Sequence, residues 1–402
     1  MSRPLEGVRV VEVAHYVAVP AAGALLADLG ADVVKVEFPR GEIYRRTRPK
    51  FAGYDSDFPE NPPFQMDNKG KRSIVLDLKR SEACDALVRL VDKAEIFITN
   101  LLPMRRRKYG VDHESLLKRN PRLLFGAISG YGNGGEGADW PAFDYSAYWA
   151  RTGLMDMMRD AGTPPSLQRP AVGDHAAAVN LVCGLLAAMR LRDATGIGQH
   201  VDVSLLQTGF HILGTDVANA LALREPAKRH DRSRAPNPLW NSYPVKGDRW
   251  IILVMIDPDR YWPKFCAAID RPELASDERF ENGFQRNDNC AELISILEEE
   301  FARRTLDEWR DRLDGAGLIW SPVIQVHEAI GDPQARAMGY FHELAHPEIG
   351  AFETVGPPFC IDGVDLGARR AISSLGADGE DLLREAGLDE GEIERVVAAE
   401  SE

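Results

Sequence analysis

The sequence predicts an α/β protein in which a doubly wound parallel sheet is followed by a smaller α+β domain. Two observations carry this. Short runs rich in valine and isoleucine alternate with helical segments through the first half of the chain, the order expected of a parallel sheet covered on both faces. Composition then shifts at REPAKRHDRSRAPNPL (224–239), which is polar, basic and bracketed by prolines and reads as a linker.

VRVVEV (8–13) is a buried strand by its unbroken apolar run. The helix AAGALLADLG, closed by Gly30, leads to the strand ADVVKVE. Such a β-α-β unit crosses over right-handed onto a parallel sheet. SIVLDL (73–78), EIFITN (95–100) and LLFGAISG (123–130) supply further strands. Ligands of these sheets bind beyond the carboxyl ends of the strands, here His15–Pro20, Glu37–Gly41, Leu76–Lys79, Asn100–Pro103 and Ser129–Gly137. RPAVGDHAAAVN (169–180) opens an Ala- and Leu-rich helix that should stop near Gly196, with Asp174 as its N-cap. Beyond the linker, RWIILVMI (249–256) reads as a strand. DRYWPKFCAAI, DNCAELISILEEEFARR and LDEWRDRLDGAG read as helices, the last capped by Thr305. The tail, with the amphipathic helix GEDLLREAGL, is too short for a core of its own and should pack back on an earlier domain. The expected divisions are 1–224, 225–330 and 331–402.

The 402 residues are 44% hydrophobic and 27% charged with a net charge of −14, a globular composition that argues against nucleic acid or an anionic membrane as partner. No uninterrupted apolar run approaches bilayer length, and the N-terminus lacks a secretory pattern. Five scattered cysteines (Cys84, Cys183, Cys266, Cys290, Cys360) form no CxxC and suit a reducing cytoplasm. The histidines show no metal-ligand spacing. AHYVAVPAAG lacks GxGxxG, GYGNGGEG lacks GK[ST], and GAISG is no nucleophile elbow. Dinucleotide, P-loop and α/β-hydrolase readings therefore fail together. Basic clusters at NKGKR (68–72), Lys79–Arg80 and MRRRKYG (104–110) read by default as solvated faces and, more sharply, as a site for an anionic small ligand.

Taken in order, PLEGVRVVEV, LADLGADVVKVE, NKGKRSIVLDLK, YGVDHESLLKRNPRLLFGAISGYG, AVGDHAAAVNLVCGLLAAMRLRDATGIGQHVDVSLL, LDEWRDRLDGAGLIWSPVIQVHEAIGDPQ and LREAGLDEGEIERV resemble the family III CoA-transferases. That family includes formyl-CoA transferase, carnitine CoA-transferase and α-methylacyl-CoA racemase, and the resemblance covers nearly the whole chain. It implies a Rossmann-like, CoA-binding large domain built from both chain ends, a small domain between them, and an interlocked homodimer. It further implies transfer of CoA from an acyl-CoA thioester to a free carboxylic acid through a covalent intermediate on Asp174. Coenzyme A would be a substrate, with no permanently bound cofactor. A carboxylate nucleophile divides one difficult exchange into easier steps.

By the same resemblance, Val17 and Ala18 meet the pantetheine end through their backbone, and Leu76 and Lys79 lie on the segment holding the adenine and its phosphates. Asn100 and Leu101 occupy the next strand end. Lys108, beside Arg105, Arg106 and Arg107, stands at the phosphate-binding position. Phe38 stands where the family often has Arg, with Arg40 as its substitute. Phe143 precedes Asp144 where the racemases carry a histidine. A phenyl ring cannot take a proton, and racemisation needs a base on each face, so transfer is favoured even though Asp257 aligns with a further racemase Glu. CoA migration within one substrate is the alternative kept open. Trp240, Asn241 and Tyr243 in APNPLWNSYPV (235–245) form a candidate lid, Arg151 a candidate carboxylate grip, and His175 a support beside Asp174. Asp202 is expected to tie its strand to its neighbours.

Overall fold

The protein is described by a computed structural model covering residues 2–160, 162–226 and 229–397, with the backbone alone at 51 and 52. Residues 227 and 228 of the predicted linker, and 398–402 of the predicted tail, lie outside the described residues. The chain divides into two compact units. The larger comprises Met1–Met157, Pro165–Pro226 and Met338–Glu402; the smaller comprises Met158–Pro164 and Ala227–Ala337.

In the larger unit six strands, β1 (Arg9–Val13), β2 (Asp32–Glu37), β3 (Arg72–Val75), β4 (Ile96–Thr99), β5 (Leu124–Ser129) and β6 (Gln199–Ser204), pair in the order β3-β2-β1-β4-β5-β6. Every pairing is parallel. The winding reverses between β1 and β4, which leaves a crevice at their carboxyl ends. The predicted strands appear one to three residues shorter than their apolar runs. β6 was readable only as the strand carrying Asp202, because its alternating QHVDVS lacks an apolar run.

Helices α1 (Ala18–Asp28), α2 (Ile43–Arg46), α3 (Pro62–Asn68), α4 (Ser81–Asp92), α5 (Pro103–Lys108), α6 (His113–Arg119), α7 (Leu154–Met157), α8 (Val172–Thr195), α9 (Leu205–Ile212) and α10 (Gly214–Leu223) connect or follow these strands. Leu25 and Leu26 of α1 join Leu181 and Leu185 of α8 in one core. Leu87 and Leu90 of α4 form a second with Leu382 and Leu383. The tail is bonded to the sheet: Arg72 on β3 donates to Asp32 (2.9 Å) and Glu385 (2.8 Å), and the Ala368 N–H donates to Asp28. α8 is long and apolar enough to cross a membrane by length and composition, although no single apolar run in it is. In this fold its Ala177, Leu181 and Leu185 are buried.

The smaller unit carries an antiparallel sheet of β7 (Ser242–Val245), β8 (Arg249–Leu253) and β9 (Trp320–Val323). It encloses a core around Trp262, Phe265, Phe301 and Trp309. Thr305 caps its helix in a reciprocal capping box with Glu308.

Beneath the crevice the larger unit buries charge. Glu12 on β1 is fully enclosed, with Oε1 2.9 Å from Lys35 Nζ and Oε2 2.7 Å from Lys71 Nζ. Lys35 also faces Glu42 at 3.4 Å. Lys71 donates to the carbonyls of Pro20 (2.8 Å) and Asp67 (2.9 Å) and to Asn68 Oδ1 (2.8 Å). Removing one member strands the others' charge in the interior. Glu12→Ala is therefore expected to cost about 3–5 kcal/mol of stability, measured by urea unfolding; a loss under about 1 kcal/mol would mean that water reaches the site.

Candidate active site

The site is built where α8 begins. Ala171 takes φ 68°, a left-handed conformation rare for a residue with a side chain, and the helix starts at Val172. Asp174 is therefore the third helical residue, and the N-cap residue, Ala171, makes no side-chain cap bond. The expectation that Asp174 caps α8 is corrected: the backbone turn at Ala171 starts the helix three residues earlier. Asp174 still lies in the positive field of the first turn. Its predecessor must be glycine, because a Cβ at Gly173 would lie 2.5 Å from the Tyr148 ring. Tyr148 belongs to a π-helical turn, Tyr145–Ala150, and is buried. The turn is preceded by Asp144, which is 2% exposed and whose carboxylate faces the backbone N–H groups of Gly173 and Ala171.

Burial pushes Asp174 up to about 7, the like charges of Asp144 and Asp67 add to the rise, and His175 opposes it. His175 Nε2 lies 2.9 Å from Asp67 Oδ1. Burial pulls this imidazole down, yet the hydrogen bond and charge of Asp67, with Asp174 and Asp144, hold it above its usual value. Burial lifts the Tyr44 phenol, as do the negative charges of Asp67 and Asp174. Asp174 thus sits among Asp144, Asp67, His175 and Tyr44.

The strand ends supply the rest of the crevice. Asn100 Oδ1 accepts from the His15 N–H (3.1 Å) and its Nδ2 donates to the His15 carbonyl (2.7 Å). This amide clamps the β1 and β4 ends together across the switch point. Phe38 stacks on His15 at 5.2 Å. Tyr16 adopts φ 60° with its N–H bonded to Glu42 Oε2 at 3.0 Å, and α1 then starts at Ala18 with Val17 as its N-cap. The first N–H groups of α1 lack intrahelical partners and are available to an anion or carbonyl.

Other predicted residues separate by exposure. Lys79, Arg40, Arg105, Arg107 and Lys108 are exposed. Arg106 is 3% exposed, donates to the Leu101 carbonyl (2.5 Å) and Asn133 (3.2 Å), and stacks on Phe125. Its guanidinium is committed inside the fold, unlike its neighbours'. Leu76 and Leu101 are buried and offer backbone only. Phe143 is 58% exposed beside Asp144. Arg151 lies over the rings of Tyr131 and Trp140, at 4.9 and 5.0 Å. In the smaller unit Tyr243 and Asn241 are core residues, bonded to the carbonyls of Pro238 and Arg232; of the candidate lid only Trp240 is exposed among the three. A cavity of about 490 Å³ in that unit is lined by ion-paired residues, Arg249 with Glu328 and Arg310 with Asp307, and holds no grouping like that around Asp174. Sequence reasoning missed Asp67, Glu42 and the strained Tyr16. Asp67 is 108 positions from its histidine, and no local pattern marks it.

A family model described as CoA-transferase family III matches residues 5–379. The chain is 32% identical to the (R)-2-hydroxy-4-methylpentanoate CoA-transferase of Clostridioides difficile, covering 97% of each. It is also 32% identical to the cinnamoyl-CoA:phenyllactate CoA-transferase of Clostridium sporogenes, over 97% of this chain and 95% of that one. The crystal structure of a CAIB/BAIF family protein from Brucella suis superposes with a TM-score of 0.85 at 29% identity, over 96% of this chain and 100% of that chain.

Two outcomes follow from the acid cluster. Asp144→Asn removes the like charge and should bring the Asp174 titration down from about 7 by about one unit, read by infrared difference spectroscopy against Asp174→Asn. Because the folded Asp174 binds its proton more tightly than the usual carboxylate value of 3.8, its ionisation destabilises the fold as pH rises through 7 and has no effect below 4. Asp174→Asn should then raise stability by about 1–3 kcal/mol at pH 8 and leave it unchanged at pH 3.5, measured by calorimetry.

Proposed function

The chain belongs to CoA-transferase family III and is a CoA-transferase, and from this we propose that Asp174 is its covalent nucleophile. The observation that carries the reading is a half-buried carboxylate in the first turn of α8, with no cap bond of its own and a raised proton affinity. A carboxylate oxygen of Asp174 attacks the thioester carbon, the C–S bond breaks, and CoA leaves as thiolate with an acyl–aspartyl anhydride behind. The thiolate attacks the aspartyl carbonyl carbon, displacing the donor acid and leaving an Asp174–CoA thioester. The acceptor carboxylate attacks that carbon, expels the thiolate and forms a second anhydride. The thiolate then takes the acceptor acyl group and frees Asp174. No proton is transferred at any step, so no general base is required of Phe143.

The N–H groups at the α8 start would bear the charge developing on the attacked oxygens. In this reading the larger unit is the CoA-binding domain. The pantetheine carbonyls meet the N–H groups of Val17 and Ala18, and the backbone of Leu76 and Leu101 borders the nucleotide. Lys79, Arg40, Arg105, Arg107 and Lys108 serve the phosphates; Arg106 orders the loop that carries them. Two relatives are named for acids with a branched or an aromatic chain, and we extend that class to the acceptor here.

The outer face of α8 exposes Val179, Leu186 and Leu191, and α9 and α10 add Phe210, Ile212, Leu221 and Leu223. Such a patch marks an interface, and a second copy of the chain is its proposed occupant. Light scattering on the eluting protein should give twice 44.5 kDa, and Leu186→Glu with Leu223→Glu should halve it. The nucleophile is tested by incubation with a panel of acyl-CoAs and hydroxylamine, followed by peptide mass mapping. A hydroxamate should appear on Asp174 and vanish in Asp174→Ala; tight CoA binding with Asp174 unmodified across the panel would sink the reading.

A further inference from the structure

The contact between Asp67 and His175 is unused by the transfer chemistry as written. It joins two segments far apart in sequence at the residue adjoining Asp174. Asp67 is 1% exposed at the end of α3. One oxygen lies 2.9 Å from His175 Nε2, and Oδ2 finds no hydrogen-bond partner among the described residues. Burial pushes the Asp67 carboxyl up, and the hydrogen bond and charge of His175, with the charge of Lys71, oppose that rise, so charge on Asp67 and charge on His175 favour each other. The backbone at Asp67 is held in place, because Lys71, paired to Glu12, donates to the Asp67 carbonyl and to Asn68. The aspartate is thus mounted on the buried charges beneath the sheet, and the histidine on the first turn of α8.

We propose that Asp67 and His175 act as one positioning unit: the Asp67 carboxylate holds an imidazolium beside Asp174, and that fixed cation keeps Asp174 ionised and ready to attack. This rests on the reading of Asp174 as nucleophile. The groups that face Asp174 are Asp144 before the π-helical turn, Asp67 from α3, His175 on its own helix and Tyr44 from α2; Lys71 and Glu42 act on Asp67. Three carboxylates therefore share the neighbourhood, and among these groups His175 is the one cation that acts on Asp174. Without it, burial and like charge would carry the Asp174 midpoint from about 7 further above neutrality and leave less of the nucleophile ionised. The need recurs through the cycle. When Asp174 becomes an anhydride or thioester its charge disappears and reappears on the thiolate or released acid, and the same imidazolium faces that anion. His175 exchanges no proton with substrate and makes no bond to it; its contribution is a charge at a fixed place.

The test uses the full-length protein and two readouts. The first is the titration of Asp174 by infrared difference, each background measured against its own Asp174→Asn partner. The second is the single-turnover release of CoA thiol from an acyl-CoA across pH 5–9. His175→Gln should raise the Asp174 midpoint from about 7 by about one unit and slow thiol release about fivefold at pH 7, a loss that shrinks as pH rises; Asp67→Asn, which removes a like charge along with the partner of the imidazole, should raise the midpoint by less. The double variant should shift no further than His175→Gln, since Asp67 acts through the imidazole and its own charge only adds to the rise. His175→Lys, which keeps the charge, should restore the acid limb. An unmoved midpoint in folded His175→Gln and Asp67→Asn, with any loss of rate equal at every pH, would show a merely structural pair and overturn the proposal. Should the midpoint move while the wild type releases no thiol from any acyl-CoA, the pair's hold on Asp174 stands and the nucleophile reading fails.

Discussion

The enclosed carboxylate of Glu12 is the pivot of the larger unit. Each of its oxygens faces a different lysine, Lys35 on β2 and Lys71 before β3. Buried ion pairs contribute little net stability, because desolvation offsets most of the attraction; what they enforce is arrangement, since any register that separates them leaves bare charge in the interior. From this one carboxylate two arms run upward to the crevice. Lys35 faces Glu42, which accepts from the N–H of Tyr16 and fixes the turn that starts α1. Lys71 secures the end of α3, which presents Asp67 to His175. Both lips of the site thus hang on the same residue. Gly23 on α1 leaves room for it, for a Cβ there would collide with Glu12 Oε2.

What the sequence could reveal depends on the range of the interaction. β1 to β5 were legible because a strand buried on both faces writes its environment into consecutive residues. α8 ended where Gly196 predicts, since a left-handed closing residue is a local requirement. Its start was misplaced because Asp174 is as suitable in the first turn as at the cap, and nothing in RPAVGD announces a left-handed alanine. Asn100 and Arg106 show a second limit. Their positions at strand and helix ends were read well enough to place them near the crevice, but a side chain's partner is a tertiary fact. Asn100 turned out to hold His15, and Arg106 to hold Leu101 and Asn133. Asp67 lay beyond reach altogether: it sits in a basic-flanked stretch, QMDNKGK, that reads as a solvated helix end.

Strain collects in the same place as charge. Tyr16 and Ala171, both left-handed without being glycine, stand at the starts of α1 and α8. Conformations of this kind cost about 1–3 kcal/mol each and persist only where neighbours over-determine them. At Tyr16 the neighbour is Glu42; at Ala171 it is Asp144, whose carboxylate faces the Ala171 and Gly173 N–H groups. Asp144, whose like charge raises Asp174, is thus also the acid that faces the backbone at the start of α8.

The displacement of Asp174 from the cap to the first turn then has a chemical meaning. A capping aspartate spends its oxygens accepting from the N–H groups of the following residues, and a carboxylate so bonded is held ionised well below its usual range. Such a group is easily kept charged, but its lone pairs are occupied and its basicity is low, both of which make it a poor nucleophile. Two positions into the helix the carboxylate keeps the favourable field of the N-terminus without being bonded to it. Asp144 does the capping work from outside, facing the N–H groups of Ala171 and Gly173. Asp174 is left basic and unencumbered, and its ionisation must come from a charge set beside it instead of from bonds made to its own oxygens. Capping and attack compete for one set of lone pairs, and the left-handed turn at Ala171 resolves that competition by giving each task to a different aspartate.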